Sequence, residues 1–414
     1  MSKSFLVSGN NGANFIDNAS RFFSLNSNIV AFSSASRADV AVRDAGTFSK
    51  LYIHVPTNTA SVTSVITFQD SGADTALTVS VTSDATGIFE DTSNSAALAN
   101  TDEASIKVTV PNEVGTNNIT IDVAGVQFEP DTTTNTISFP AASALGPDFA
   151  SASTTEFIPM CGLLYFSSVE SVQTARIRKS FTSSDFYALV QANARTTNTI
   201  FGTRKNAGAG GQSVTYGSGE TNVKEDASNS DSLVAGDDFN YYITTGTGTE
   251  IITPVKLSTS LINTSDFFVN YCISNGATVG TSSTTYARIG GGLAFDATEG
   301  DTQIYPQFTF TASELLAYVG ANAAVVAGCT VTLRDNGADS SLTVSYAAAE
   351  TGLKNDTSNT ATITSGTDEI NYAIVNSDAV GTVTFQWLGV HGAVAAVAST
   401  KLRTGVLMMM GIGN

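Results

Sequence analysis

Apolar and polar residues alternate through much of this chain. Leu77, Val79 and Val81 are separated by polar positions, and Leu342, Val344 and Tyr346 repeat the pattern. A period of two is that of a strand with one buried face. Ala104, Ile106 and Val108 make another such face, which returns as Phe239, Tyr241 and Ile243 and again as Ile370, Tyr372 and Ile374. Ser71-Gly72 and Asn336-Gly337 stand just before strands, where left-handed residues close tight turns. No long 3.6-residue period occurs. One short helix is predicted near 313–319, where Thr311-Ala312-Ser313-Glu314 offers an N-terminal cap. Many short strands with regular turns predict sandwiches or jelly rolls.

The strand pattern belongs to an internal repeat. Asp70-Ser71-Gly72-Ala73-Asp74-Thr75-Ala76-Leu77-Thr78-Val79-Ser80 returns as Asp335-Asn336-Gly337-Ala338-Asp339-Ser340-Ser341-Leu342-Thr343-Val344-Ser345, with eight of eleven positions identical at an offset of 265. Asp91-Thr92-Ser93-Asn94 returns at the same offset as Asp356-Thr357-Ser358-Asn359, and Asp226-Ala227-Ser228-Asn229 stands about halfway. A period near 130 residues is the size of a domain rather than of a solenoid repeat. The predicted fold is therefore all-β: three tandem β-sandwich, jelly-roll-like units of about 130 residues each. The expected limits are an N-terminal arm over 1–28, unit one over 29–150, unit two over 151–282, and unit three over 283–414 with a C-terminal strand near 405–412. The arm carries Phe5, Phe15, Phe22 and Phe23, so it is expected to dock on a neighbouring molecule or on unit one.

Composition narrows the function. Only 14% of residues are charged and the formal charge is −18, so binding to nucleic acid or to an anionic membrane is not expected. No apolar run is long enough to span a bilayer, and Met1–Phe5 opens no signal-peptide pattern, so release by lysis inside a particle is the expected route out of a cell. Cys161, Cys272 and Cys329 have no CxxC spacing and read as buried thiols. Arg176, Arg178, Lys179, Arg204 and Lys205 concentrate positive charge in unit two, as a solvated strand edge or as a contact for an acidic neighbour.

Candidate chemistry is sparse. The two histidines, His54 and His391, do not recur between copies, and no nucleophile elbow accompanies them. His54 is expected on a strand edge and His391 in a loop. Trp387, the single tryptophan, aligns with Val123 on a repeated apolar face and reads as core. Asp91, Asp226 and Asp356 are equivalent, each followed by Ser-Asn, and have two readings: calcium ligands, or caps of Asx and Ser/Thr turns. No other cofactor is expected. Three near-equal scaffolds with no distinctive polar cluster in any one point to architecture rather than catalysis.

Two resemblances sharpen this. Around Gly236-Asp237, Tyr241 and Ile243, and again at Trp387-Leu388-Gly389-Val390, the units resemble jelly rolls of the tumour-necrosis-factor-like kind. That resemblance implies packing about a three-fold axis, hence a covalent pseudo-trimer. The string Asn336-Gly337-Ala338-Asp339 with Leu342-Thr343-Val344, then Thr351-Gly352 and Asp356–Asn359, resembles repeats in structural proteins of tailed-phage virions. It implies a non-enzymatic capsid decoration or cement protein on the particle exterior. Its partners would be the major capsid protein and other virion proteins, with self-association a further option. The alternatives are a receptor- or glycan-binding tail fibre, and a secreted bacterial filament or surface-layer protein.

Overall fold

The computed structural model describes residues 3–16, 19–25, 29, 31–111, 117–131, 135–142, 148–160, 162–163, 166–263 and 267–394. They form three jelly rolls. In unit one, Ser4–Ile16, Asn118–Pro130, Gly46–Val55 and Gly87–Leu98 lie side by side in that order. The facing sheet runs Ala19–Phe23, Glu103–Val110, Ser64–Asp70 and Ala73–Val81. Numbering these eight strands along the chain gives the orders 1-8-3-6 and 2-7-4-5, in which each sheet draws on both halves of the unit. Unit two repeats the orders with Asn135–Ala142, Ile252–Asn263, Phe181–Asn193 and Asn222–Leu233 over Thr155–Ile158, Asp238–Thr245, Thr199–Lys205 and Gly208–Tyr216. Unit three does so with Phe267–Val279, Val383–Val394, Phe310–Asn322 and Gly352–Ile363 over Ser283–Ala287, Ile370–Asn376, Cys329–Asp335 and Ala338–Tyr346.

The alternating faces are the cores. Leu77, Val79, Val81, Ile106, Val108, Tyr241, Ile243, Leu342, Val344, Tyr372 and Ile374 are all buried between sheets. Gly87, Asn222 and Gly352 open the sixth strand of each unit with φ of +104°, +75° and +95°. Asparagine tolerates this left-handed region better than other side-chain-bearing residues, which is why it can replace the glycine of the sister units.

Three expectations change. The segment expected as an arm is two strands of unit one: Ser4–Ile16 pairs with Asn118–Pro130, and Ala19–Phe23 with Glu103–Val110. Phe15 and Phe23 are fully buried there. The sandwiches accordingly begin at 4, 135 and 267, two strands earlier than the repeat landmarks suggested in unit one and one strand earlier in units two and three. The helix expected near 313–319 is part of the strand Phe310–Asn322, which is paired on both sides. Pairing and burial of Leu315, Leu316 and Ala317 override the local helical preference. The strand near 405–412 lies outside the described residues, and unit three is completed by Val383–Val394.

The third strand of each unit carries a bulge at an equivalent residue: Lys50, Asp185 and Glu314, with φ of +53°, +55° and +54°. A bulge re-aims what it carries. Here each faces the preceding unit. Arg43 of unit one donates to the Asp185 carbonyl of unit two at 3.1 Å. Arg178 of unit two donates to the Glu314 carboxylate of unit three at 2.8 Å. In the third pair the direction reverses, with Lys50 of unit one donating to the Gln307 carbonyl of unit three. Arg43, Arg178 and Gln307 occupy equivalent positions, just before the third strand. Each unit therefore touches both others through the same elements, and the chain closes into a ring with approximate three-fold repetition. One apolar cluster joins units two and three and takes in Val7, Tyr52 and Val123 of unit one.

Candidate functional site

The seams between units carry several charged and hydrogen-bonded groups. At the seam of units one and two, Arg43 also pairs with Glu225 at 2.8 Å and lies over the Tyr187 ring. Lys256, 3% exposed, reaches across to Glu103 at 2.8 Å, and Ser260 donates to Asp44 at 2.6 Å. At the seam of units three and one, Gln307 donates to Glu90, and Tyr305 packs edge-on against Tyr52 while donating to Glu369. Beside it, His54 bonds Asp122 at 2.8 Å, and the buried Arg288 of unit three donates to the Asp301 carbonyl. Gly9 permits that approach, since a Cβ there would overlap the Arg288 side chain.

The basic residues of unit two are spent inside the chain. Arg176 pairs with Asp238 at 2.7 Å, Arg204 with Glu170 at 2.6 Å and Lys205 with Asp237 at 3.0 Å. Arg178 and Lys179 both face Glu314 of unit three. Each of these charges therefore has a carboxylate of the chain itself as a partner. Arg178→Ala is expected to cost about 1–2 kcal/mol of unfolding free energy, because it strands a half-buried carboxylate at the seam. A double-mutant cycle with Glu314→Ala in urea should return a coupling of that order.

Between units two and three the seam opens into a cleft of about 320 Å3. Unit three supplies Trp387, Tyr318 and Leu353; unit two supplies Glu170, Ser171, Thr174, Arg176, Ala207 and Asp238. Trp387 is almost wholly buried, as its place in the repeat predicted, and Tyr318 stacks on it with centroids 6.0 Å apart and planes 18° from parallel.

Asp91, Asp226 and Asp356 are each buried at the join between the fifth and sixth strands. One oxygen of Asp91 accepts from the Thr78 amide at 2.9 Å; the other accepts from the Ser93 amide and hydroxyl and the Asn94 amide. Asp226 takes the same place with Ser213, Ser228 and Asn229, and Asp356 with Thr343, Ser358 and Asn359. Burial alone would raise these carboxyls. The Thr78, Asn94 and Ser93 donors outweigh it and hold Asp91 at about 2, and Asp356 is likewise held at about 2. Donors from the chain itself reach both oxygens of Asp91, and those of Asp226 and Asp356, in the arrangement of a turn staple. Among the described residues no group of three or more His, Cys, Asp or Glu is placed to hold a metal ion.

The histidines sit elsewhere than expected. His54 is on a strand paired on both sides, and His391 is on Val383–Val394, fully buried. Burial, with Lys179 and Arg178 nearby, lowers His391 to about 3. Cys272 and Cys329 are buried thiols pushed up to about 12 by desolvation. Cys161 lies outside the described residues.

Unit two also departs from the expectation of three equivalent cores. Gln212 stands where its sisters carry Leu77 and Leu342, and is fully buried. Its side-chain nitrogen donates to Ser183 at 2.8 Å and to Asp231 at 3.2 Å. Thr203 donates to Asp231 at 2.6 Å, and Ser183 and Thr259 share a hydrogen bond. The signal was present in the repeat, as a polar residue in register with two leucines. At one end of unit three, Asp378 accepts five amides, from Val325, Val326, Ala327, Val380 and Gly381. This presents Val325, Val326 and Val380 rigidly to solvent, at 68%, 86% and 74% exposure.

No family model matches the chain, and no curated protein matches it. Among solved structures, a xanthan lyase from Paenibacillus is similar over 67% of this chain, at 12% identity and a TM-score of 0.19. The matched part is 30% of that enzyme's chain.

Proposed function

We propose that the chain is a non-enzymatic structural protein of a particle exterior: a capsid decoration or cement protein of a tailed-phage virion. The observation that carries this reading is the ring of equivalent seams, in which one polypeptide does what three separate jelly rolls would otherwise do. A closed ring of three fits a three-fold or quasi-three-fold lattice position, and fusion lets the three positions differ in side chain. Attachment would bury neutral polar surface against the major capsid protein, with no chemistry required. The net charge of −18 favours a basic partner surface, and the Val325–Val326–Val380 tip supplies a rigid apolar contact.

Cryo-electron microscopy of particles from the source tests this directly. The expected result is three-lobed density, one ring per chain, at regular lattice positions. Density at a tail tip or fibre alone would replace this reading with a receptor-binding role, and absence from every particle would overturn it.

A further inference from the structure

The three seams are equivalent by construction, so each is a control for the others. At the position of Trp387 the seam of units one and two carries Lys256, which runs into the gap and pairs with Glu103. At the position of Arg176 the seam of units three and one carries Tyr305, which packs against Tyr52 and bonds Glu369. In both, a side chain of the chain itself enters the gap. Between units two and three the same gap stays open, at about 320 Å3, within the ~300–1,000 Å3 range of ligand clefts.

The two walls of this cleft differ in chemistry. Unit three offers aromatic and aliphatic surface: Tyr318 half-buried over Trp387, and Leu353. Unit two offers hydroxyls, carboxylates and a guanidinium, with Arg176 bound to Asp238 and Glu170 bound to Arg204. The charges are balanced before any ligand arrives, which disfavours a strongly ionic ligand. A flat aromatic ligand would leave the polar wall unused. A ligand with one apolar face and several hydroxyls uses both walls, and a pyranose ring has that form. We propose that the seam of units two and three is a carbohydrate-binding cleft for a neutral hexopyranose. Tyr318 would cover the sugar's C–H face, while Arg176, Asp238 and Glu170 would take its hydroxyls. This inference does not depend on the particle role.

The chain has a single tryptophan, and it lies at this site. Intrinsic tryptophan emission of the full chain therefore comes from a residue in the cleft wall. Titration with glucose, galactose, mannose and N-acetylglucosamine is expected to give a saturable change with at least one of them. Tyr318→Ala should weaken that binding about tenfold or more, and Tyr318→Phe should preserve it. Saturation-transfer NMR on the unmodified protein provides a second readout that needs no variant. No saturable emission change and no transfer to any of the four sugars would overturn the assignment. So would binding that Tyr318→Ala, still folded by its thermal transition, leaves unchanged. Either failure would leave the lattice-position reading untouched.

Discussion

Asp91→Ala is expected to lower the unfolding free energy by about 2–3 kcal/mol, and Asp226→Ala and Asp356→Ala by similar amounts. Each carboxylate joins the two sheets of its own unit at their exposed edge. It accepts the amide of Thr78, Ser213 or Thr343 from the fifth strand, and the amide of Asn94, Asn229 or Asn359 from the sixth. Removing it leaves edge-strand amides to water at a site that is mostly closed to water. Asp→Asn keeps the shape but loses the charge and turns a donor toward donors, so it should recover half of the loss or less. The three sites lie in separate units and share no partner, so the triple variant should lose close to the sum. Urea unfolding measures all of these. A calcium site would behave differently: calcium would raise the thermal midpoint of the unmodified protein and a chelator would lower it, whereas the turn-staple geometry predicts no response to either. The pH dependence has a definite sign. Asp91 and Asp356 sit near 2 when folded and ionise near 3.8 when unfolded, so their contribution is complete above about pH 5 and is lost progressively as pH falls through 2.

Most of the fold was legible because the repeat multiplies weak signals. One alternating window is ambiguous; the faces Ala104-Ile106-Val108, Phe239-Tyr241-Ile243 and Ile370-Tyr372-Ile374 in register are not, and all nine residues are buried. The unit limits were harder to read because the first strand of each copy lacks a shared string. Ser4–Ile16, Asn135–Ala142 and Phe267–Val279 are held in place by pairing with the eighth strand over a hundred residues away. That is long-range information, which local pattern does not contain. The same limit hid the site. Trp387 read correctly as core within its own unit, yet what makes it notable is Arg176 and Asp238 of another unit across the seam. Nothing in the spacing of positions 176, 238, 318 and 387 shows that they meet. The third-strand bulges were hidden for a related reason. Lys50, Asp185 and Glu314 are equivalent in backbone conformation but share no side-chain chemistry.

Between pH 7 and pH 4, two seam residues are expected to move stability in opposite directions, and single substitutions should separate them. Burial, reinforced by Lys179 and Arg178, holds His391 neutral down to about 3, whereas the unfolded imidazole titrates near 6.5. Below pH 6.5 the unfolded state binds the extra proton, so stability falls; at pH 5 the loss is about 2 kcal/mol. Asp44 does the reverse. Burial raises its carboxyl to about 6 against the Ser260 hydrogen bond, with Asp185 adding to the rise and Arg43 opposing it. Its unfolded value is 3.8, so between the two the folded state holds the proton and stability rises as pH falls. At pH 5 that gain is about 1.4 kcal/mol. In the unmodified protein the two partly offset each other, leaving a net loss of about 0.6 kcal/mol at pH 5. Unit one carries Gln127 at the place of His391, so His391→Gln suits the fold. Relative to its own value at pH 7, this variant should be more stable at pH 5 than the unmodified protein is, by about 2 kcal/mol. Asp44→Asn should be less stable on the same comparison, by about 1.4 kcal/mol. Urea unfolding at the two pH values reads both. If all three proteins shift in parallel, neither residue titrates as its burial at the seam requires. If only His391→Gln departs, the seam of units one and two is wetter at Asp44 than its contact with Ser260 implies.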